Sequence, residues 1–399
     1  MKITCFSFNS PPLNDPEAFC TARFLTALVN AGVEVTLLTV PHPEQIDTSV
    51  CDELLDPAVK VFRLPLGDAE RLTLRDFLRY QYVSEHAAHL PSLVKEVRRH
   101  LSSHQGSVLV TRGFPPISNV IGYHTRDLAR MWVAHFSDPF PGPWMYSGRK
   151  RHLKLLDGWW AKRILKAANL VTVTNRNAIH WFQESHNVSA RTKFHVAYHV
   201  GRPPLAHTYL VPGFDHQLTN FVHVGFWPRR RFMVDVFREF DAAHAADPRI
   251  ALHQFGPVDP GVAEQVRRGS FPWLSLDAGV MSPRDSTALL QSSTINVVID
   301  QNDNLPFCPF LASKFSYAVA SGQPLLAVGQ LDSEMGKLHE EHGSFYFAEI
   351  TRPNSLRDTV LSMASAGFEN LVVPSTSLQK IFSPQAVADK FLAAISALM

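Results

Sequence analysis

The residues best suited to bind an anion lie where an apolar strand is followed by a helix. After the segment TINVVID and a loop, the residues SKFSYAVA, beginning at Ser313, are typical of a helix that Gly322 and Pro324 close. Serine favours the N-cap position, because its hydroxyl accepts one of the first backbone N–H groups of the helix. A helix that begins just beyond a strand offers such N–H groups and a partial positive charge to a phosphate. The same pattern also fits an ordinary strand–helix unit, so both interpretations stay open.

Two carboxylates in the same loop raise the question of a metal. Asp300 and Asp303 lie in VIDQNDN, and paired carboxylates are ligands that Mg²⁺ and Mn²⁺ prefer. A loop of Asp and Asn is also ordinary turn chemistry, which is the interpretation that we favour. The cysteines lack the spacing of zinc ligands, and we expect buried thiols in a reducing compartment. They are Cys5, Cys20, Cys51 and Cys308.

The elements that position these residues are predicted from apolar runs separated by helical segments. The chain begins with a strand at about residues 2 to 8, a loop, a helix carrying Phe19 and Phe24, and a second strand. This order implies a right-handed βαβ unit and a Rossmann-like domain. Further strands are predicted in VKVFRL, SVLVTR, MWVAHF, LVTVT, FHVAYHV, NFVHVGF, IALHQFG, WLSLDAGV, INVVID, PLLAV and SFYFAEI.

A segment without periodicity, GRPPLAHTYLVPGFDHQ, separates two halves that repeat the same scheme. We therefore predict an α/β protein with Rossmann-like domains at 1–204 and 205–382, each with a parallel sheet. The amphipathic segment at 383–399 predicts a terminal helix that packs back on the first domain. Two such domains in series place the carboxyl ends of both sheets toward a shared cleft.

Composition allows a large soluble enzyme and excludes little else. A chain of 399 residues with 45% hydrophobic content can bury two cores, and a net charge of +2 does not indicate a nucleic-acid partner. No apolar run is long enough to span a bilayer, and MKITCFSF becomes polar too soon for a signal peptide. We expect a cytoplasmic protein.

Taken together, several segments resemble glycosyltransferase family 4, and the resemblance covers nearly the full length. It implies the arrangement called GT-B, with two Rossmann-like domains, and transfer of a sugar from a nucleotide diphosphate sugar, usually with retention of configuration. It also implies catalysis without a metal or another cofactor. The segments are NSPP followed by Arg23, TRGFPP at 111–116, WVAHFSDPF at 132–140, LVTVTN at 170–175, FVHVGFWPRRR at 221–231 and LASKFSYAVASGQPLLAVG at 311–329.

The resemblance implies that the second domain binds the donor, near Gly225 and the run Arg229, Arg230 and Arg231. Guanidinium groups stabilise the charge that a leaving nucleotide diphosphate gains as the glycosidic bond breaks. Arg231 best matches the position where similar enzymes carry such a group. The alternative is a solvated basic turn, although cations are unfavourable at a helix N-terminus.

One departure from the family pattern concerns two glutamates that many members carry seven residues apart. Their positions fall on Pro309 and Tyr317, and neither side chain is a carboxylate. A subset of the family has Pro-Ser-Lys instead, which Ala312-Ser313-Lys314 resembles. Ser313 and Lys314 are therefore our candidates for contact with the diphosphate. Tyr317 either touches the ribose or packs in the core.

Candidates for the acceptor side lie at strand ends of the first domain. The segment WVAHFSDPF ends a strand with His135 and Asp138 at its carboxyl end, where Asp138 either receives the acceptor hydroxyl's proton or caps a turn. For His135 a structural role is the stronger alternative. The first loop lacks the GxGxxG pattern of dinucleotide-binding dehydrogenases, but its residues follow a strand where substrates commonly bind. The remaining candidates are Asn14, Asp15, Glu17, Arg112 and Asn175.

A basic, Trp-containing stretch bears on location. Residues 144–166 contain seven Lys or Arg, one Asp and three Trp, a mixture suited to an anionic membrane surface. The alternative is a solvated basic helix whose Trp159 and Trp160 pack inward. A lipid-linked or glycan acceptor in surface polysaccharide assembly would fit peripheral attachment.

The sequence leaves two functions open beside the glycosyltransferase. A nucleotide-sugar 2-epimerase shares this architecture but needs catalytic carboxylates in the cleft, which we cannot place in the sequence. A non-catalytic nucleotide-sugar-binding protein fits the absence of the two glutamates. Donor hydrolysis would separate an enzyme from a binding protein.

Overall fold

The computed structural model describes residues 1–41, 54–66, 73–142, 149–186, 188, 192–202, 214–215, 217–227, 233–269, 271–277, 279, 281–292, 295–300 and 305–399. The chain forms two compact units. The first comprises Met1–Tyr198 and Pro384–Met399, and the second comprises His199–Ser383.

The first unit contains a parallel sheet whose strand order is β3-β2-β1-β4-β5-β6-β7. Every residue of β4 and β5 is buried, as expected for parallel strands with both faces covered. The strands are β1 (Lys2–Ser7), β2 (Glu34–Thr39), β3 (Lys60–Arg63), β4 (Val108–Arg112), β5 (Met131–Phe136), β6 (Leu170–Val173) and β7 (Phe194–Val196).

Most of the helices between these strands bury apolar residues in the core of this unit. The first begins at Pro16 because the Asp15 side chain accepts the backbone N–H of Ala18 as an N-cap. The helices are α1 (Pro16–Asn30), α2 (Leu74–Tyr80), α3 (Leu90–Ser103), α4 (Ile117–Thr125), α5 (Arg151–Ala167) and α6 (Arg176–His186).

The second unit repeats the scheme in a parallel sheet with the order β10-β9-β8-β11-β12-β13. Its strands are β8 (Thr219–Val224), β9 (Ile250–Phe255), β10 (Leu274–Asp277), β11 (Ile295–Ile299), β12 (Leu325–Gly329) and β13 (Tyr346–Glu349). Its helices are α7 (Met233–Ala246), α8 (Pro260–Arg268), α9 (Pro283–Ser292), α10 (Ser313–Ser321), α11 (Glu334–His342), α12 (Ser355–Ala366) and α13 (Thr376–Ile381).

The terminal helix, α14 (Pro384–Ser396), belongs to the first unit, where it packs on α1. The ring of Phe391 meets that of Phe24 edge to face, with centroids 4.9 Å apart. Each strand of the described residues overlaps a segment predicted from the sequence. The predicted α/β fold class, with two Rossmann-like parallel sheets, is confirmed.

Candidate functional site

The helix expected to bind a phosphate, α10, does begin at Ser313, but Ser313 is not its N-cap. The N-cap is Ala312, and the first residue with helical geometry is Ser313 itself. This corrects the prediction from the sequence, because a serine inside the first turn cannot cap that turn. An alanine N-cap has no side-chain acceptor for the first-turn N–H groups. The helix start therefore keeps the character of an anion site.

Lys314 reaches from this first turn to the carboxyl end of β8. Its Nζ donates to the Phe226 carbonyl at 2.6 Å and lies 3.5 Å from Nε2 of His223. Gly225 lies between His223 and Phe226 in the sequence and has a φ of +98°. A Cβ added to Gly225 would lie 3.0 Å from Cε of Lys314. Only glycine tolerates both this conformation and this close approach. The predicted donor residues Gly225, Ser313 and Lys314 therefore belong to one group, which we call the second-unit site.

Two residues of this site were not predicted. His223 in β8 and Gln254 in β9 are buried partners in the sheet register, with Nδ1 of His223 hydrogen-bonded to Oε1 of Gln254. The signal available in the sequence was a polar residue in the middle of each apolar segment, FVHV and LHQF. A buried polar side chain requires a partner, but the sequence does not say which.

Only some of the other donor-side candidates lie among the described residues. Pro309 is buried in the segment before α10, and Tyr317 is half-buried one turn into the helix, which leaves both alternatives for Tyr317 open. Asp300 is buried at the end of β11. Asp303, the second carboxylate of that loop, lies outside the described residues. So do the arginines at 229, 230 and 231.

In the first unit, Asp138 is exposed just beyond β5. It lines a small cleft together with Gly113, Phe114, Pro116, Phe136, Pro139 and Phe140. The cleft places the Asp138 carboxylate next to aromatic and proline side chains. His135, in contrast, is buried within β5, where its Nδ1 lies 3.0 Å from the Thr172 hydroxyl. This environment favours the structural alternative for His135.

Arg112 and Glu17 form a buried ion pair beside this cleft. Nη2 of Arg112 lies 3.9 Å from Oε1 of Glu17, and the guanidinium stacks on the Phe24 ring at 4.5 Å. The Glu17 carboxylate covers Gly113, which follows β4 and lines the cleft. Burial raises the pKa of the Cys5 thiol, next to the pair, to about 12, which makes it unreactive. We call Glu17, Arg112, Gly113 and Asp138 the first-unit site.

Two of the remaining acceptor-side candidates, Asp15 and Asn175, stabilise helix starts. Asp15 caps α1 and also accepts a hydrogen bond from the Asn9 amide at 3.2 Å. Asn175 is buried, and its side-chain oxygen accepts the backbone N–H of Ala178 at 2.8 Å at the start of α6. Asn14 is half-buried in the loop before α1. These contacts account for Asp15 and Asn175 without a ligand.

Two residues of the basic stretch, Arg149 and Trp160, make contacts inside the first unit. Arg149 donates to both carboxylate oxygens of Asp157 and, at 3.0 Å, to the Val83 carbonyl. Trp160 is buried and donates to the Gln81 carbonyl at 2.6 Å. Trp160 therefore packs inward, whereas Trp144 lies outside the described residues.

Comparison with solved structures shows which class of protein has this fold. The chain aligns over its full length with sucrose-phosphate synthase from Thermosynechococcus elongatus, covering 98% of that chain with a TM-score of 0.71 and 16% identity. It aligns with HepE from Anabaena in complex with UDP, covering 100% of each chain with a TM-score of 0.63 and 13% identity. It also aligns with a proposed UDP-N-acetylglucosamine 2-epimerase from Listeria monocytogenes, covering 100% and 96% with a TM-score of 0.57 and 15% identity.

The fold is therefore GT-B, the fold of nucleotide-sugar glycosyltransferases and of at least one structure assigned as an epimerase. No protein-family model matches the chain. No curated protein matches it either. Membership of glycosyltransferase family 4 stays a prediction. Among the described residues, no helix is both long and apolar enough to cross a membrane.

Proposed function

We propose that the protein is a glycosyltransferase that moves a sugar from a nucleotide diphosphate sugar to a glycan or lipid-linked acceptor in surface polysaccharide biosynthesis. The proposal rests on the second-unit site, where Lys314, in the first turn of a helix without a side-chain cap, packs over Gly225. In the proposed reaction, the Lys314 ammonium and the first N–H groups of α10 bind the diphosphate and stabilise its charge as the glycosidic bond breaks. The arginines at 229–231 would add to this neutralisation, and no metal is required.

The first-unit site supports the acceptor half of the proposal. Asp138 is exposed, as a carboxylate must be to receive a proton from an acceptor hydroxyl at hydrogen-bond distance. The Glu17–Arg112 pair supports the wall of the cleft that contains Gly113. In this assignment Asp138 acts on the acceptor, and Lys314 acts on the leaving group.

A panel of nucleotide sugars tests the proposal. The protein should hydrolyse at least one of them slowly, releasing the nucleoside diphosphate, and should transfer the sugar when the acceptor is present. The anomeric configuration of the product, followed by NMR, should be retained, as the family resemblance implies. Absence of hydrolysis, transfer and nucleotide binding across the panel would refute the glycosyltransferase assignment.

An epimerase is the second candidate, because one of the similar structures is assigned that activity. The two functions differ in a product that can be measured without an acceptor. An epimerase interconverts two nucleotide sugars and leaves the sugar–phosphate bond in both products, whereas a glycosyltransferase releases the nucleoside diphosphate. If NMR of the protein incubated with the donor alone showed a new nucleotide sugar, the epimerase assignment would therefore replace our proposal.

For location, we propose peripheral attachment to the anionic inner face of the cytoplasmic membrane. Helix α2 exposes the apolar side chains of Leu74, Phe77 and Leu78, which are interspersed with Arg75 and Arg79. Exposed apolar residues flanked by cations fit the boundary between headgroups and acyl chains. Arg75 and Arg79 outweigh Asp76, which leaves this helix with a net charge of +1.

Helix α5 adds a basic stripe to the same unit. Arg151, Leu155, Lys162 and Lys166 are exposed at spacings that place them on one helix face. Changing Arg151, Lys162 and Lys166 together to glutamate should release the protein from anionic vesicles, since each cation near such a surface contributes about 1 kcal/mol. Unchanged sedimentation with vesicles at low salt would exclude this location. Arg149 is unsuitable for the test, because its charge is paired inside the fold.

A further inference from the structure

The second sheet buries two polar side chains next to each other. His223 and Gln254 are 0% and 1% exposed, and the register of β8 and β9 places them directly opposite one another. A buried polar group that lacks hydrogen bonds destabilises a fold, so such pairs need a complete set of partners. The contacts of both residues lead toward Lys314.

The hydrogen bonds of Gln254 determine the protonation of His223. Nε2 of Gln254 donates to the carbonyls of Gly225 and Gly256, at 2.8 and 3.2 Å. Since carbonyls only accept, the Oε1 atom of Gln254 must be the one that faces Nδ1 of His223. Nδ1 then carries the proton, and in the neutral ring Nε2 presents a lone pair.

That lone pair faces a group that can only donate. Nζ of Lys314 lies 3.5 Å from Nε2 of His223, and it also donates to the Phe226 carbonyl at 2.6 Å. A lysine side chain has four rotatable bonds, so two acceptors at its end restrict where the charge can lie. The chain of contacts runs from the two glycine carbonyls through Gln254 and His223 to the ammonium.

We propose that His223 and Gln254 are positioning residues that hold the Lys314 ammonium where a nucleoside diphosphate binds. The inference rests on the proposed function of the second-unit site, and it assigns a role to two residues that touch no substrate. A charge that is fixed before the leaving group forms stabilises it without reorganisation, whereas a mobile ammonium must first be ordered. Loss of His223 should therefore affect turnover chiefly through Lys314.

A double-mutant cycle measures this dependence, with the nucleotide sugar that the wild type hydrolyses fastest. Lys314→Ala should lower kcat by about 100-fold, as loss of one preorganised donor does. His223→Leu should lower kcat on the order of 10-fold, because it only misplaces the charge, with a smaller change in KM. In the Lys314→Ala background, His223→Leu should change kcat by less than about threefold. His223→Gln, which keeps an acceptor for the ammonium, should recover most of the activity.

A matched control comes from the same sheet. His253 in β9 is hydrogen-bonded through both ring nitrogens, to Ser275 at 2.7 Å and Asn220 at 2.8 Å, and belongs to neither site. His253→Leu should lower the melting temperature and leave kcat unchanged. If His223→Leu does not fold, Gln254→Met interrupts the chain of contacts one residue earlier and takes its place in the cycle.

The outcomes separate the inference from the function on which it rests. Equal effects of His223→Leu with and without Lys314 would overturn the positioning role alone, while the wild type still turns over the donor. If the wild type hydrolyses no nucleotide sugar and binds none of UDP, GDP and dTDP in calorimetry, the proposed function fails and the inference fails with it. If His223→Leu lowers kcat only when Lys314 is present, the result supports both the positioning role and the proposed function.

Discussion

Replacing Gly113 with alanine tests whether Glu17 and Arg112 shape the first-unit site. Gly113 has a φ of +79°, and an added Cβ would lie 2.9 Å from Cγ of Glu17 and closer still to its Oε1. The Glu17 carboxylate must then move away from Arg112, whose side chain is almost fully buried. Gly106 provides a matched control, because its φ is +83° but nothing lies within 4 Å of an added Cβ.

The two substitutions should differ in stability by the energy of the displaced ion pair. The left-handed backbone costs alanine roughly 1 to 2 kcal/mol at either position. Gly113→Ala also leaves a buried guanidinium without its carboxylate, which costs about 3 kcal/mol more. At roughly 3 °C per kcal/mol for a unit of this size, Gly106→Ala should lower the melting temperature by about 4 °C and Gly113→Ala by about 13 °C.

Thermal unfolding and two activity measurements check this reasoning. Gly113→Ala should slow transfer to the acceptor and leave donor hydrolysis unchanged, because the second-unit site is untouched. Gly106→Ala should leave both activities unchanged. Equal melting temperatures for the two variants would mean that the Glu17 carboxylate is not held over Gly113, and the role of the pair in the cleft would be refuted.

Three further substitutions test other parts of the assignment. Asp138→Asn should slow transfer while calorimetry finds unchanged nucleotide affinity, and unchanged transfer would remove its role as base. Arg231→Ala should cost on the order of 3 kcal/mol of transition-state stabilisation, seen in turnover more than in donor binding; wild-type turnover would remove Arg231 from the leaving-group site. Arg149→Met should destabilise the fold by about 3 kcal/mol at neutral pH, because it leaves Asp157 buried and unpaired. Burial already raises the pKa of Asp157 and Arg149 opposes this rise, so the folded variant binds a proton more tightly than the unfolded chain. The unfolding free energy of the variant, measured in urea, should therefore increase relative to that of the wild type as the pH is lowered from about 7 to about 5. The same pH dependence in both proteins would contradict the ion pair.

The sequence by itself determined the strands and the fold class. Parallel strands that are buried on both faces are apolar along most of their length, so segments such as INVVI and LLAVG are visible without any structure. The end of α10 was equally visible, because Gly322 ends the helix in the left-handed conformation that glycine favours. These features depend on neighbours in the chain.

The tertiary structure decided which polar residues meet. His223 and Gln254 are 31 residues apart, and Lys314 is 91 residues from His223. Such contacts depend on sheet register and on the reach of a side chain across a glycine, neither of which can be read from local sequence. The same reason separates the exposed Asp138 from the buried His135 in one segment, and it turns Arg149 from a surface cation into half of an ion pair.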